Sequence, residues 1–155
     1  MKSKNILIRT DGSNTSGLGH VSRCLTLANY LKEKGITSTF ITSKQEVCNI
    51  ITGNNFNCIV LDKNNKISHL KEISLSVNSN TIVVDTDYKR VFPSRESYFK
   101  YIKDLRSEKY FIISFEDAIS ADVSSNVVVV PYLGANKINV INTGSKHFFG
   151  EKYFL

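Results

Sequence analysis

The chain has 155 residues, of which 41% are apolar and 22% are charged, a composition typical of one globular domain that buries a sizeable core. Lysine and arginine exceed aspartate and glutamate by 20 − 14 = 6, but the lysines are scattered singly, without the basic run that would indicate a nucleic-acid partner. No stretch approaches the roughly 18 apolar residues of a membrane-spanning helix or resembles a secretory signal peptide, so we expect no nucleic acid, no membrane span and a cytoplasmic location.

A strand, a glycine-bearing loop and an amphipathic helix are predicted between Ile6 and Leu31. Ile6-Leu7-Ile8 is a short apolar run with β-branched residues, typical of a buried strand. The run from Asp11 to Ser16 is rich in turn-forming residues. Apolar residues then follow with the spacing of one helix face, at Val21, Cys24, Leu25, Ala28 and Leu31. The glycines and the histidine of Gly17-Leu18-Gly19-His20 therefore lie where the strand has ended and the helix begins.

The rest of the chain alternates predicted strands with predicted helices. Further strands are expected at Thr37–Thr42, Cys58–Leu61, Thr81–Val84, Tyr110–Ile113 and Val127–Val130. Helices are expected at Lys44–Thr52 and Ile67–Val77 and after the cap at Ser94, whereas Ile138–Ile141 and Tyr153–Leu155 have no firm assignment. This order predicts an α/β fold with a doubly wound, mainly parallel sheet, in which the first strand, Ile6 to Arg9, is central.

The junction before the first helix has the chemistry of a binding site. The first turn of a helix carries unpaired N–H groups and a partial positive charge, and glycines such as Gly17 and Gly19 let a ligand approach that backbone closely. His20 can accept a proton near neutral pH, and Arg23 lies on the same helix face. Asp11, at the carboxyl end of the first strand, is expected at the same crevice. The alternative is a tight connection with a surface histidine.

Acidic residues follow several predicted strands. Asp11, Asp85, Glu116 and Asp117 all stand at strand ends, so they are expected at one edge of the sheet. A metal site there is the less favoured interpretation, because no histidine joins the carboxylates at ligand spacing and acidic residues are common in turns. His69 and His147 are expected to be packed or exposed rather than catalytic. We predict no metal and no cofactor.

Two familiar nucleotide-binding loops do not fit the glycine-bearing loop. A dinucleotide-binding fingerprint requires glycine or alanine where this chain has Ser22, and it requires an acidic residue that Phe40–Ser43 does not supply. No Gly-Lys-Ser/Thr run is present for a P-loop. The loop therefore belongs to neither class of nucleotide site.

The three cysteines do not form a recognisable metal or disulfide pattern. Cys24, Cys48 and Cys58 are odd in number and each lies in an apolar context. Buried free thiols are the expected state. This use of cysteine agrees with a reducing, cytoplasmic environment.

Several runs of the chain resemble one family of enzymes. Ile8-Arg9-Thr10-Asp11 followed by Gly17-Leu18-Gly19-His20-Val21-Ser22-Arg23 resembles the opening of the nucleotide-sugar hydrolases of the pseudaminic acid pathway and of related spore-coat polysaccharide proteins. Ile82–Asp85, Ile113–Asp117 and Gly144–Leu155 resemble later segments of these proteins in the same order. MurG-like glycosyltransferases share the fold more distantly. The resemblance implies that residues 1–155 form a single Rossmann-like domain, the N-terminal half of a GT-B arrangement.

The resemblance also implies an activity. The hydrolases release UDP from a UDP-linked 2,4-diacetamido-2,4,6-trideoxyhexose, and His20 matches their proposed general base. Asp11 is then expected to orient His20 or to bind sugar hydroxyls, and Asp85 to contact substrate. The backbone from Gly17 to Val21 would steady the substrate or the diphosphate, and Arg23 the histidine loop or an anionic group. The family's hydrolases usually carry His-Tyr after the matching aspartate, whereas this chain has Thr86-Asp87, so the resemblance does not fix the sugar.

The family's C-terminal nucleotide-binding domain is absent from these residues. We therefore expect a covalent or separate partner domain and little hydrolysis by this chain alone. Two other functions remain open at this point: the acceptor domain of a GT-B glycosyltransferase, and a non-catalytic module that binds a sugar or a protein.

Overall fold

The computed structural model describes residues 5–12, 17–61, 67–115, 124–135 and 144–153. The chain divides into two compact units, Met1–Asp87 and Tyr88–Leu155. The first unit contains β1 (Asn5–Thr10), α1 (Gly19–Glu33), β2 (Thr37–Thr42), α2 (Gln45–Gly53), β3 (Asn57–Val60), α3 (Ile67–Ser76) and β4 (Thr81–Asp85). The second contains α4 (Tyr88–Val91), α5 (Arg95–Ser107), β5 (Phe111–Phe115), β6 (Val127–Val130), β7 (Lys146–Phe149) and a short 3₁₀ helix (Glu151–Tyr153).

The strands of the first unit are parallel and lie in the order β3-β2-β1-β4. Ile8 of β1 stands opposite Phe40 of β2 on one side and opposite Val83 of β4 on the other. The chain thus winds outward from β1 to β3 and then returns to the other side of β1 with β4. The predictions of a doubly wound parallel sheet and of a central first strand are confirmed.

Burial explains why these apolar runs form strands. Leu7 and Ile8 of β1 are both fully buried although they alternate in direction, as expected where a parallel strand is covered on both faces. The helices cover the strands with the apolar face that their spacing predicts. Buried members of these faces are Val21, Cys24 and Ala28 of α1, Val47, Cys48 and Ile51 of α2, and Leu70 and Ile73 of α3.

The second unit has three parallel strands in the order β5-β6-β7. Val128 and Val130 of β6 are buried together with Ala135, and Tyr132 and Phe149 pack against them. The predicted cap of α5 is confirmed, because the Ser94 hydroxyl accepts a hydrogen bond from the backbone N–H of Ser97 at 3.1 Å. Such a cap satisfies one of the N–H groups that the first helical turn leaves unpaired.

Three elements of the second unit are not predicted from the sequence: α4, β7 and the 3₁₀ helix at Glu151–Tyr153. The helix α4 has only four residues, too few for a periodic apolar pattern. The strand β7 starts with two polar residues, so its composition does not indicate a strand. Its pairing with β6, for example of His147 with Val128, identifies it as one. The stretch Ile138–Ile141 and the last two residues lie outside the described part of the chain. No helix among the described residues is both long enough and apolar enough to cross a membrane.

Candidate functional site

The first unit has a topological switch point between β1 and β4. The chain passes from β1 to β2 and β3 on one side of β1 and returns with β4 on its other side. Thr10 at the end of β1 stands opposite Asp85 at the end of β4. The helix α1 begins at Gly19, nine residues after β1 ends at Thr10. Ligands of open α/β sheets bind at such crevices, outside the carboxyl ends of the strands. The sequence-predicted candidates Asp11, Gly17, Gly19, His20, Arg23 and Asp85 all lie in or next to β1, α1 and β4.

A cluster of three charged or titratable side chains occupies the start of α1 and the end of β4. Nδ1 of His20 lies 2.7 Å from Oδ1 of Asp85. Arg23 donates from Nε to Oδ2 at 2.7 Å and from Nη2 to Oδ1 at 2.6 Å, so the guanidinium and the carboxylate form a two-bonded pair. Nη2 of Arg23 is also 3.3 Å from Nδ1 of His20. We name these three residues the His20 cluster.

Burial differs sharply within the His20 cluster. Asp85 is 0% exposed and Arg23 is 9% exposed, whereas the His20 side chain is 31% exposed. Burial alone would raise the pKa of Asp85, but the hydrogen bonds from His20 and Arg23 and the charge of Arg23 outweigh it and hold that pKa below its ordinary value. Asp85 is therefore a buried carboxylate that stays ionised at neutral pH.

Asp85 also accepts a hydrogen bond from a thiol. Sγ of Cys24 donates to Oδ2 of Asp85 at 3.5 Å. Burial, followed by the negative charge of Asp85, raises the pKa of the Cys24 thiol well above its ordinary value. Cys24 therefore remains a neutral donor, without the thiolate character that a nucleophile needs. All three cysteines are free, as predicted; Cys24 and Cys48 are buried and Cys58 is half-buried.

Within the described residues, the first turn of α1 has no side-chain cap. The residue that precedes the helix, Leu18, supplies no side-chain cap, and no acidic residue lies in the first turn. The first intrahelical bond runs from the N–H of Ser22 to the carbonyl of Leu18, so the N–H groups before Ser22 have no partner within the helix. Gly17 has φ +87°, a conformation that favours glycine, and a Cβ added at Gly19 would meet no atom within 4 Å.

Gly12 contributes to the same loop and was not singled out in the sequence. A Cβ at this position would lie 3.0 Å from the carbonyl oxygen of Gly17 and 3.1 Å from Cγ2 of Val21. A larger residue here would require the Gly17 carbonyl or the Val21 side chain to shift by a few tenths of an ångström, so glycine suits the close approach of the end of β1 to the start of α1. Its place directly after the strand and Asp11 is the signal that could have identified it.

Asp11 does not hold His20. Its Oδ1 accepts hydrogen bonds from the hydroxyl of Thr42 at 3.0 Å and from the backbone N–H and hydroxyl of Ser43 at 2.7 and 2.6 Å. Its Oδ2 lies 2.8 Å from Nη2 of the buried Arg9. These contacts tie the end of β1 to the end of β2. The carboxylate that contacts His20 is therefore Asp85, and not Asp11, for which the sequence predicts that contact.

The other acidic and histidine candidates do not join the His20 cluster. Glu116 and Asp117 lie outside the described residues. His69 lies on α3, and His147 lies on β7, where its ring centroid is 5.6 Å from that of Phe149. Within the described part of the chain, no three or more histidine, cysteine or acidic side chains group as metal ligands would.

Comparison with known proteins places the fold. No family model matches the chain. The chain is 29% identical over 154 residues to the uncharacterized protein MJ1062 of Methanocaldococcus jannaschii, an alignment that covers 97% of this chain and 30% of that protein. The structure is similar to the crystal structure of Acinetobacter baumannii MurG, with a TM-score of 0.60 and 12% identity, over 93% of this chain and 44% of MurG. The chain thus spans less than a third of the relative and less than half of MurG, and it has a MurG-like, GT-B glycosyltransferase-like domain fold.

Proposed function

We propose that this chain is the base-bearing domain of a nucleotide-sugar hydrolase that releases UDP from a UDP-linked diacetamido-trideoxyhexose. His20 is the general base of this reaction. The observation that carries the proposal is the 2.7 Å contact between His20 Nδ1 and the buried, ionised Asp85 at the switch point. A histidine held through one ring nitrogen by a carboxylate can accept a proton on the other.

The geometry supports the proton transfer as follows. All hydrogen-bond contacts of the His20 ring to the described residues run through Nδ1, so Nε2 is available to a water molecule. Nε2 takes a proton from that water as its oxygen bonds to the anomeric carbon and the bond from that carbon to the UDP oxygen breaks. The charge that develops on the imidazole is stabilised by Asp85, which lies on the opposite side of the ring.

The start of α1 supports the binding of an anionic substrate. Its N–H groups before Ser22 have no intrahelical partner, and its first turn carries no acidic residue that would repel a phosphate. The open space at Gly19 gives a diphosphate access to that backbone. His20 belongs to the same turn, so a substrate held there would bring its reacting carbon near the base.

The acceptor domain of a GT-B glycosyltransferase is the second candidate, and the structural similarity to MurG is compatible with it. The same imidazole would then deprotonate a hydroxyl group of an acceptor instead of water. The two reactions share the base and the leaving group and differ in the product. A glycosylated acceptor identifies a transferase, whereas free sugar and UDP identify a hydrolase.

Because the chain covers 30% of MJ1062 and 44% of MurG, the activity is proposed for an assembly in which another domain holds most of the nucleotide. The test uses the complete polypeptide that the gene encodes and a panel of UDP-linked amino sugars. The replacement His20→Asn is expected to lower kcat by about 10²- to 10⁴-fold, with the affinity for UDP and the melting temperature nearly unchanged.

His69→Asn is the matched control, since His69 lies in the same unit but on α3, and it is expected to keep the parent kcat. An unchanged kcat in His20→Asn would falsify the role of the base. Parallel losses of kcat and melting temperature would show instead that His20 serves packing.

A further inference from the structure

We propose that Arg23 is the positioning residue of His20: by clamping Asp85 it keeps the single imidazole proton on Nδ1 and reserves Nε2 as the accepting atom. The inference rests on the proposed function only in one respect, namely that Nε2 accepts a proton from water during the reaction. The protonation state itself is a property of the chain without substrate, and it can be measured there.

The position of the proton follows from the contacts of Asp85. A carboxylate oxygen and a bare ring nitrogen repel each other at 2.7 Å, so a proton must lie between Oδ1 and Nδ1 of His20. Asp85 is ionised, because two bonds from Arg23 stabilise its charge. The proton therefore belongs to Nδ1, which donates it to Oδ1.

Arg23 fixes the direction of that hydrogen bond. Oδ1 of Asp85 accepts from His20 and from Nη2 of Arg23, and Oδ2 accepts from Nε of Arg23 and from the Cys24 thiol. Four donors fill the roughly four acceptor positions of a carboxylate. The two bonds from one planar guanidinium prevent the carboxylate from rotating, and so hold Oδ1 in line with the ring.

Arg23 also balances the charge of the His20 cluster. Arg23 and Asp85 together are neutral, so a second proton on His20 would make the cluster positive, with Nη2 of Arg23 only 3.3 Å from Nδ1. Without Arg23, the buried carboxylate would favour a doubly protonated imidazole, which is no longer a base. Arg23 thereby keeps His20 in its accepting form.

The other titratable groups at this edge do not replace that effect. Cys24 of α1 is a neutral thiol, and Asp11, directly after β1, is paired with Arg9. Asp87 is a further carboxylate, two residues after the end of β4 in sequence. Arg23 is therefore the cation that opposes the doubly protonated ring within the His20 cluster.

The experiment is ¹⁵N NMR of the imidazole rings in the 155-residue chain without any ligand. His20→Asn identifies the signals of His20 by their loss, and His69 and His147 serve as internal references. At neutral pH we expect a protonated Nδ1 and a bare Nε2 for His20. A proton on Nε2, or a doubly protonated ring, would overturn the proposal.

Spectra of Arg23 variants at neutral pH test the cause. In Arg23→Gln the Asp85 carboxylate loses both bonds from the guanidinium and its balancing charge, so the doubly protonated form of the His20 ring is expected to increase relative to the parent. Arg23→Lys keeps the charge but loses the two-bonded geometry, so the expected increase is smaller, while the Nδ1–H signal broadens as the carboxylate becomes mobile. The control is Arg106→Gln, since Arg106 is exposed on α5.

Identical ¹⁵N signals of the His20 ring in the parent, Arg23→Gln and Arg106→Gln would contradict the proposal. If Arg23→Gln does not fold, as circular dichroism would show, Arg23→Lys and the spectrum of the parent decide. These measurements involve no turnover. The expected proton position in the 155-residue chain together with no UDP-sugar hydrolysis by the complete polypeptide would refute the proposed function alone, and the reverse result would refute this inference alone.

Discussion

Asp85 is fully buried yet ionised because four donor groups surround it, three of them from His20 and Arg23. A sequence pattern could place this carboxylate at a strand end, and it could place His20 and Arg23 on one helix face. The pairing itself joins residues 65 positions apart. It depends on β4 lying beside β1, an order that hydrophobic periodicity does not specify, so Asp11 was an equally reasonable partner for His20.

The replacement Asp85→Asn tests how much the ionised carboxylate stabilises the fold. We expect the free energy of unfolding at pH 7 to fall by about 3–5 kcal/mol, because the change leaves the buried Arg23 charge without its carboxylate. The measurement is urea-induced unfolding followed by circular dichroism. Asp104→Asn is the control, since the exposed pair of Asp104 with Lys100 is worth at most about 1 kcal/mol.

The pH dependence of the same pair of proteins gives a second test of Asp85. The pKa of this carboxyl is lower in the folded chain than in the unfolded chain, so its ionisation stabilises the fold above about pH 4 and that contribution is lost as the pH falls through the folded-state value. Asn has no such titration. The stability difference between the parent and Asp85→Asn should therefore be constant near neutrality and narrow below about pH 4. A difference that is the same at pH 3 and pH 7 would show that ionisation of Asp85 is not its source.

The first turn of α1 contains Gly19, which has open space around it. Replacing this glycine is expected to affect fold stability and substrate binding in opposite senses. Alanine at Gly19 meets no atom within 4 Å and should stabilise the helix by about 0.5–1 kcal/mol. If a substrate approaches this backbone, Gly19→Ala should nonetheless raise KM for the UDP-sugar in the complete polypeptide. Thermal unfolding and steady-state kinetics measure the two effects.

Gly53→Ala provides the matched control for Gly19→Ala. Gly53 is also a helical glycine, at the end of α2, and an added Cβ there likewise meets no atom within 4 Å. It should leave KM unchanged. Equal KM values for Gly19→Ala and the parent would show that Gly19 serves only the connection between strand and helix.

The strands and helices of the first unit were predictable because local pattern and burial agree. Thr37–Thr42 was predicted as a strand and is β2 without any change of boundary; the periodicity that marked α1 corresponds to its buried residues. The sequence was uninformative for α4 and β7, whose short lengths carry no period. It was also uninformative for Gly12. The close contact of this residue with Gly17 and Val21 exists only in the folded loop, and no local sequence pattern indicates it.

The structure matches MurG over 93% of this chain and 44% of MurG, so it reproduces only part of that protein's fold. In the proposed function the His20 cluster provides the base and its positioning residues, and the start of α1 contributes to substrate binding, all in the first unit. In the hydrolases that the chain resembles, the nucleotide is held mainly by a C-terminal domain. The proposed function is therefore divided between this chain and a further domain, covalent or separate.

That division predicts how UDP affects thermal stability. A ligand at 100 times its Kd stabilises the protein that binds it by about 2.7 kcal/mol, which raises Tm by roughly 5–10 °C for a protein of about 150–250 residues and by less for a longer one. We expect a saturable rise of several degrees for the complete polypeptide, and a rise near zero for the 155-residue chain, because in the proposed function only the start of α1 contacts UDP in this chain. Differential scanning fluorimetry measures both, with ADP as the control for recognition of the base. A saturable, UDP-specific rise of several degrees in the 155-residue chain would show that these residues hold the nucleotide by themselves, and the division of the site between two domains would then be wrong.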